Sequence, residues 1–501
     1  MGGGNVLFIT LDQMRADILR GRYAGLVPTP NMDRLAQSGV TFESHFTVTV
    51  PCGPARASLL TGLYAMNHRS IRNGTPLARH HATLATEARK AGYEPLLFGY
   101  TDSTPDPTGM DPEDPDLRSY EGLSPGFREL VEMRLDDGLQ WPAYLRLRGY
   151  PVNPASTMTL AELYRPVPEK GNMPKIGDPA FYKAQDSDTA YLTDRTLEAL
   201  DIRQNKPWFA HLTYIRPHPP LVAPEPWNRF VDPASLPQDA TAAPDHPFMD
   251  AWFSEAAARS LYWGFDGDCA NMSGEDRAAL RAVYFGLVGE VDHHLGRVLD
   301  WLDETGQADR TLIIFTADHG EMLGDKKMWG KESVFDAAFS VPLIIRDPSR
   351  RAHGGKRITR LTESVDIAPT ILDWIGRTPP DAMDGKSLLT ALDDKNLPTR
   401  TSVLMEADFS HPDKPTRFQR HMGLDSYKCH ATILREEKWK YIHFGGGVAP
   451  MLFDMENDPD ETCDLAREHV HAGQVARMRG RLIDRMNERR DRRLTQISIG
   501  T

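Results

Sequence analysis

The run VLFITL at residues 6–11 is continuously apolar and contains β-branched side chains, which is typical of a buried parallel strand. Similar apolar runs recur along the chain, at residues 95–100, 208–215, 311–316 and 341–345. Helical patterns lie between them, at residues 84–91, 188–200 and 276–302. This alternation predicts an α/β fold with a large, mostly parallel sheet that carries helices on both faces.

The pattern divides the chain near residue 385. Residues 1–385 carry the alternating elements, and the stretch 103–180, rich in Pro, Asp and Gly, is interpreted as an insertion or lid over one end of the sheet. Residues 386–501 contain short runs typical of antiparallel strands and a final amphipathic helix. We therefore predict a small C-terminal α+β domain with an antiparallel sheet.

Composition limits the classes of function. The chain has 501 residues, of which 40% are hydrophobic and 26% charged, so a disordered or collagen-like chain is excluded. The apolar runs are far shorter than the roughly 20 residues of a membrane-spanning helix, so no membrane contact is expected. A net charge of −12 disfavours nucleic acid as a partner. Four scattered cysteines and the absence of a signal-peptide pattern lead us to expect a cytoplasmic protein.

Acidic residues follow two of the predicted strands. The first strand ends in Asp12-Gln13, and the run 311–316 leads to Asp318-His319. Ligands of open α/β sheets bind at the carboxyl ends of strands. Two carboxylates and an imidazole suit one divalent cation, whereas each Asp alone would more often cap a helix or a turn.

The run CGPARASLLTG at residues 52–62 has the pattern of a helix that ends at Gly62. Cys52 would then lie at a helix N-terminus, which favours an anion. A thiolate phosphatase loop needs Arg six residues after Cys, but residue 58 is Ser. Arg56 at the fourth position instead gives Cys-x-Pro-x-Arg. A buried structural cysteine is the other interpretation.

This run resembles the sulfatase signature, in which the cysteine is oxidised to formylglycine. Further resemblance lies in NMDRL at 31–35, DHGE at 318–321 and LFDMENDPDE at 452–461, so it covers nearly the full length. The run RPHPP at 216–220 and the histidine at 319 resemble the phosphonate monoester hydrolases and their arylsulfatase relatives, in the alkaline phosphatase superfamily. The resemblance implies an alkaline phosphatase-like sandwich with a small C-terminal sheet domain.

The resemblance also implies roles for individual residues. The metal ligands would be Asp12, Asp318, His319 and the formylglycine at Cys52, with Gln13 as a weaker ligand. Arg56 would hold the formylglycine and the charge on the metal side. The anion pocket would be lined by Asn73, Tyr100, His218 and Lys331. The donor set suits Ca²⁺ or Mn²⁺.

The implied activity is hydrolysis of a small anionic ester. Hydrated formylglycine would attack sulfur or phosphorus, His218 or Lys331 would protonate the leaving oxygen, and the aldehyde would reform. We expect an arylsulfatase with promiscuous activity on phosphonate monoesters and phosphodiesters; the alternative is a phosphonate monoester hydrolase or phosphodiesterase as the main activity. A formylglycine-generating enzyme would be needed for maturation.

One position departs from the phosphonate hydrolases. Asp102 stands where they carry a hydroxyl residue, and a carboxylate near the pocket would repel a doubly charged phosphate monoester. This is the only sequence support for a sulfate preference.

Two rival functions and an oligomer complete the expectations. A two-metal phosphatase would need a second metal-binding cluster, and Asp292-His293-His294 is the only candidate in the sequence. An anion-binding protein without activity would keep Cys52 as a thiol.

A homo-oligomer, dimer or tetramer, is predicted with the C-terminal helix contributing. The eight arginines between residues 477 and 493 are interpreted as a solvated helix face, or else as a subunit contact.

Overall fold

The structure, a computed structural model, describes residues 3–135, 138–153, 162–168, 172–393 and 400–490. Its strands are, in chain order, β1 (Asn5–Asp12), β2 (Val40–Phe46), β3 (Thr49–Val50), β4 (Pro95–Gly99), β5 (Arg128–Glu132), β6 (Phe209–Pro217), β7 (Thr311–Ala317), β8 (Leu343–Arg346), β9 (Lys356–Glu363), β10 (Val403–Asp408), β11 (His430–Arg435), β12 (Trp439–Phe444) and β13 (Met451–Asp454).

The α-helices of the same residues are α1 (Pro30–Ser38), α2 (Cys52–Thr61), α3 (Ala65–His68), α4 (Leu84–Lys90), α5 (Gln140–Leu147), α6 (Asp188–Asp201), α7 (Pro247–Phe253), α8 (Gly274–Glu304), α9 (Asp336–Phe339), α10 (Ile367–Trp374), α11 (Leu389–Leu392), α12 (Arg417–Met422) and α13 (Ala472–Glu488). The predicted strands and long helices are therefore found within a few residues of their expected bounds.

The large sheet has eight strands in the order β5-β4-β6-β1-β7-β8-β2-β9. All its neighbouring strands run parallel except β8, which is antiparallel to both β7 and β2. Every residue of the central strand β1 is buried. Its side chains alternate between two apolar cores, with Leu7 and Ile9 in one and Val6 and Phe8 in the other. This is the predicted α/β sandwich, with both faces of a mostly parallel sheet covered.

The smaller sheet has the order β13-β12-β11-β10-β3 and is antiparallel except for its last pair. That pair is formed by β3, a strand of two residues from the N-terminal part of the chain, which runs parallel to β10. The small antiparallel sheet is thus confirmed. The domain boundary near residue 385 stays a prediction, although β3 shows that the smaller sheet takes one strand from before it.

The segment 103–180 is more than a covering insertion. Within its described part, β5 adds the edge strand of the large sheet, parallel to β4, and α5 follows. The weak periodicity of this Pro-rich stretch conceals β5, because an edge strand buries only part of its side chains: of its five residues only Val131 is buried.

The final helix α13 packs onto its own domain. Met478 and Leu482 are buried in an apolar cluster with strands of the smaller sheet, and Val475 and Met486 pack against it. Arg477 and Arg481 pair with a glutamate of the turn between β11 and β12, which is Glu436. The apolar face of α13 is therefore used within the chain, and the homo-oligomer with a contribution from this helix stays a prediction.

Among the described residues, no helix combines the length and the apolar character that crossing a bilayer requires.

Candidate active site

Two neighbouring strands and one helix converge at the carboxyl edge of the large sheet. Asp12 ends β1, Asp318 and His319 directly follow the adjacent β7, and Cys52 is the first residue of α2. One ligand atom from each of these four side chains lies within 4.8 Å of the others. We call these four residues the floor of the site. They are the residues that the sequence predicted as metal ligands, apart from Gln13.

The imidazole of His319 has a defined orientation. Its Nδ1 lies 2.9 Å from the carbonyl oxygen of Gly320, which can only accept, so Nδ1 carries the proton. Its Nε2 then presents a lone pair, 3.2 Å from Cys52 Sγ and 3.6 Å from an oxygen of Asp12. A backbone carbonyl that fixes the tautomer in this way is common behind histidines that bind metals.

Arg56 holds the two carboxylates of the floor from below. Because it lies four residues after Cys52 on α2, both side chains project from the same face of that helix. Its guanidinium donates to Asp318 over 3.0 Å and to Asp12 over 3.4 Å, and it also contacts Thr213 Oγ1 at 2.8 Å. Arg56 therefore lies against both carboxylates of the floor, and its role toward the charge on the metal side stays a prediction.

The floor fits a divalent cation. Burial, together with the neighbouring Asp12, raises the pKa of Asp318 to about 7, while the positive charges of Lys331 and Arg56 act against burial and hold the pKa of Asp12 below its usual range. Two carboxylates in one buried site repel each other, which a bound cation would relieve. The two carboxylates and the free lone pair of His319 would hold the ion.

Cys52 is only 5% exposed, and burial together with Asp12 raises the pKa of its thiol. The thiol is therefore protonated at neutral pH and is a poor nucleophile as it stands. Thiolate phosphatase chemistry, which the spacing of the sequence already excluded, is disfavoured by this environment as well.

Lys331 and His218 form a hydrogen-bonded pair above the floor. His218 Nδ1 lies 2.6 Å from the carbonyl oxygen of Pro219 and so carries the proton, which leaves Nε2 to accept from Lys331 Nζ over 2.9 Å. Burial, with the positive charge of Lys331, lowers the pKa of His218 to about 3. Burial opposes the charge of Lys331, but Cys52, Asp12 and Asp318 raise its pKa. The pair therefore consists of a neutral imidazole and an ammonium group.

Both polar atoms of the Gln13 side-chain amide have hydrogen-bond partners within the protein. Its Oε1 accepts from Lys331 over 2.8 Å, and its Nε2 donates to Glu321. Glu321 also accepts from the backbone of Leu323 and Gly330 and so fixes the loop before Lys331. The sequence analysis gave Glu321 no role, although it lies in the DHGE run that resembled the family.

Asn73 and Tyr100 meet the site from two sides. Asn73 Oδ1 accepts from the backbone N–H of Gly53, in the first turn of α2, over 2.9 Å. Tyr100 donates its hydroxyl proton to Asp12 over 2.5 Å, and its ring lies over the Arg56 guanidinium, 4.0 Å away. Tyr100 thus supports a floor carboxylate, whereas Asn73 lines a cavity together with His218 and Lys331.

Asp102 lies beside Arg56. Its carboxylate oxygen Oδ2 is 3.7 Å from Arg56 Nε, its Oδ1 is buried without a hydrogen-bond partner, and its backbone φ is +47°. Burial raises the pKa of Asp102 to about 7, against the opposing effect of Arg56. A carboxyl group in this setting carries less negative charge toward the substrate than the sequence argument assumed.

The second cluster of the two-metal rival does not form. Asp292 accepts from the backbone N–H groups of Asn31 and Met32 and so caps the start of α1. His293 lies against the ring of Trp227 instead. Among the described residues, the floor is the one group of His, Cys, Asp and Glu side chains with the spacing of a metal site.

A cavity of about 570 Å³ leads outward from the Lys331–His218 pair, and we call its part next to this pair the reacting end. Its inner end is formed by Gln13, Asn73, His218 and Lys331. Its outer wall carries charged side chains of three loops, of the end of β10 and of α12, namely Arg72, Glu255, Glu332, Asp408, Arg417 and Arg420. None of these outer residues belongs to a motif that the sequence singles out.

A sandwich of this kind, with an acidic, histidine- and cysteine-containing floor at the carboxyl edge of its large sheet, defines the class of alkaline phosphatase-like hydrolases. Residues 4–377 match the Sulfatase family, and residues 324–489 match the family described as N-sulphoglucosamine sulphohydrolase, C-terminal. The chain belongs to the sulfatase family of the alkaline phosphatase superfamily, as its motifs predicted.

Individual relatives agree with this assignment. The solved structure of phosphonate monoester hydrolase SpPMH from Silicibacter pomeroyi is 44% identical, with a TM-score of 0.94 over 99% of this chain and 97% of that one. The multifunctional alkaline phosphatase superfamily protein PehA of Trinickia caryophylli is 38% identical over 94% of this chain and 93% of its own length. An arylsulfatase of Clostridium perfringens is 26% identical over 97% and 95%. The chain is a hydrolase that acts on sulfate or phosphonate esters.

Proposed function

We propose that this chain is a formylglycine- and metal-dependent hydrolase of singly charged esters, with phosphonate monoesters as its main substrates. Sulfate monoesters and phosphodiesters are further substrates of the same site. The observation that carries the proposal is the buried floor of Asp12, Cys52, Asp318 and His319 directly beneath the Lys331–His218 pair.

The order of substrates differs from the sequence expectation for two reasons. The position of Asp102 against Arg56 weakens the argument for a sulfate preference. Similarity also favours phosphonates, because the identity to the phosphonate monoester hydrolase structure is 44%, against 26% to the arylsulfatase. An arylsulfatase main activity remains the second candidate, supported by the match of residues 4–377 to the Sulfatase family.

Oxidation of Cys52 explains why a buried, protonated thiol heads the helix. A hydrated aldehyde at this position would supply a hydroxyl nucleophile that displaces the alcohol from phosphorus or sulfur, and a second hydroxyl whose deprotonation would break the carbon–oxygen bond to the bound product and restore the aldehyde. A divalent cation held by Asp12, Asp318 and His319 would supply Lewis-acid stabilisation of the anionic ester group. Maturation requires a formylglycine-generating enzyme as a partner.

The chain's own residues divide the remaining tasks. Lys331 Nζ holds the proton and offers it toward the cavity, while His218 Nε2 and Gln13 Oε1 accept from the same ammonium group and fix its position. Lys331 is therefore the general acid toward the leaving oxygen, and His218 orients it. Arg56, below the floor, donates to both Asp318 and Asp12 and balances part of their negative charge.

Two measurements test the proposal. Mass analysis of the peptide that contains Cys52, from protein produced with and without a formylglycine-generating enzyme, is expected to show the aldehyde only in the active preparation. A kinetic panel of aryl phosphonates, aryl sulfates and phosphodiesters, with one added metal at a time, is expected to show the highest kcat/KM for phosphonates. Full activity in a preparation that carries only the thiol would overturn the formylglycine step, and a higher kcat/KM for aryl sulfates would favour the second candidate.

A further inference from the structure

Three arginines line the outer part of the active-site cavity, and two of them are fully engaged. Arg420 makes two contacts with the carboxylate of Glu255, at 2.8 and 2.6 Å. Arg72 lies 3.5 Å from Asp408 and donates to Ser410 over 3.2 Å. These two guanidinium groups have their charge or their donors satisfied within the protein.

Arg417 differs from both. Its Nη2 contacts Glu332 at 2.6 Å, but its Nε is buried and has no hydrogen-bond partner in the described structure. Its side chain is only 11% exposed, and the guanidinium lies 5.1 Å from the ring centre of Trp252 and 5.0 Å from that of Phe418. A buried donor without an acceptor costs free energy, which a bound acceptor would recover.

The acid that forms an ion pair with Arg417 in the described part of the chain, Glu332, does not depend on it. Glu332 is 59% exposed, so water can solvate its carboxylate when Arg417 turns to another partner. Glu332 also directly follows Lys331, and neighbouring Cα atoms lie about 3.8 Å apart. Arg417 thus contacts the residue that follows the general acid, and Arg417 and Lys331 line the same cavity.

We infer that Arg417 recognises a carboxylate on the leaving alcohol of the ester, so that the preferred substrates are esters of hydroxy-carboxylic acids. This inference rests on the proposed function and adds to it the chemical class of the leaving group. The planar guanidinium matches a carboxylate in two-point hydrogen bonding, and the surrounding aromatic rings exclude water and strengthen the contact. Arg420, on the same helix and already paired with Glu255, provides the matched control.

The test compares two leaving groups of similar size. Methylphosphonate and sulfate esters of 4-hydroxybenzoate and of 4-hydroxybenzamide differ in the charge of one substituent, and both are offered to the metal-loaded, formylglycine-containing enzyme. We expect the wild-type enzyme to favour the carboxylate in kcat/KM, and Arg417→Gln to reduce the ratio of carboxylate to carboxamide by about 10- to 100-fold. Arg420→Gln is expected to keep the wild-type ratio.

The ratio is measured within one preparation, so partial loss of folded protein in a variant cancels. Arg417→Lys is expected to restore only part of the ratio, because an ammonium group lacks the planar pair of donors. An unchanged ratio in Arg417→Gln, or a wild-type preference for the carboxamide, would overturn the inference while both esters are still hydrolysed. If the wild-type enzyme hydrolyses neither leaving group from either ester, the proposed function fails and this inference fails with it.

Discussion

The floor of the site and the outer wall of its cavity are built in opposite ways. The floor residues stand at the ends of β1 and β7 and at the start of α2, and each is at most 5% exposed. The wall residues come from segments far apart in the chain and reach partners such as Glu255 and Glu332 that are about half exposed. Rigid strand ends therefore hold the reacting groups in place. The side chains that select the ester lie in the wall, where they can be substituted with little effect on the stability of the fold.

The largest effect is expected at the floor, and a floor that tolerates the loss of a carboxylate would contradict its contrast with the cavity wall. Asp318→Asn keeps the size of the side chain but removes one of the two negative charges that would hold the cation. We expect loss of bound metal, measured by elemental analysis, and a decrease of kcat/KM by about 10³-fold or more. Asp33→Asn, on the exposed face of α1, is the matched control. Two metal equivalents per chain, both needed for activity, would contradict the single site.

The pair above the floor is expected to show the next largest effect. Lys331→Met removes the proposed general acid and should lower kcat/KM by about 10²- to 10⁴-fold, most for poorly acidic leaving phenols. His218→Gln keeps an acceptor for Lys331 and should cost less. The measurement is kcat/KM against the pKa of the leaving phenol. A steeper dependence in His218→Gln than in Lys331→Met would reverse the two roles.

The helix that carries Cys52 is supported by a neutral histidine. His68 Nδ1 accepts from the backbone N–H of Ser70, so Nε2 donates to Ser58 on α2 over 2.9 Å. Burial lowers the pKa of His68 to about 3. Because its folded-state pKa lies below the unfolded value of about 6.5, the unfolded chain binds more protons between these two values, and stability falls as the pH decreases through that range.

His68→Gln should remove this contribution, because glutamine can form both hydrogen bonds without titrating. The free energy of unfolding is then expected to fall less between pH 6.5 and pH 5, by about 2 kcal/mol. Urea unfolding at several pH values checks this, with the exposed His469→Gln as control. An unchanged pH dependence would mean that the pKa of His68 is the same in the folded and the unfolded chain.

Charge selection by Asp102 is expected to be modest. Since its carboxylate lies 3.7 Å from Arg56, Asp102→Asn should raise activity on phosphate monoesters relative to aryl sulfates by only about fivefold, or about 1 kcal/mol. Asparagine tolerates the positive φ at this position, so the backbone should be kept. The ratio of kcat/KM values in one preparation is the measurement. A change of several hundredfold would place the charge of Asp102 directly against the substrate.

The wall should give the smallest effect. Arg72 is partly exposed and its ion pair with Asp408 spans 3.5 Å, so Arg72→Gln is expected to change KM by at most about fivefold and to leave kcat nearly unchanged. Steady-state kinetics on the phosphonate panel decides this. A tenfold loss of kcat would show that Arg72 belongs with the reacting end of the cavity.

The sequence predicted the floor well because each of its residues follows a strong local pattern. Asp12 and Asp318 end long apolar runs, and Cys52 opens a helix that Gly62 ends, with φ at +67°. The sequence places Gln13 next to Asp12 and so predicts a weak ligand, but it does not show that the side chain of Glu321 binds the Gln13 amide. Local spacing carries no information about such a contact across 308 residues.

The same limit explains what the sequence analysis missed in the fold. β3 has two residues, too few to show a period, and β8 gives the same apolar pattern whether it runs parallel or antiparallel to its neighbours. Arg417 lies in a short polar helix whose role depends on rings and carboxylates from distant segments. The contacts of the cavity wall therefore cannot be predicted from local sequence patterns.

The pairing of β3 with β10 has a consequence for how such chains can be recombined. Val50 and Thr49 stand two and three positions before Cys52, and their strand partners are Ala407 and Glu406, respectively, far along the chain. A C-terminal segment exchanged between relatives would bring a foreign edge against the residues that precede the nucleophile position. The smaller sheet therefore depends on residues from both sides of position 385. Chimaeras joined near residue 385 should keep their activity only when residues 48–51 are exchanged together with the new C-terminal part.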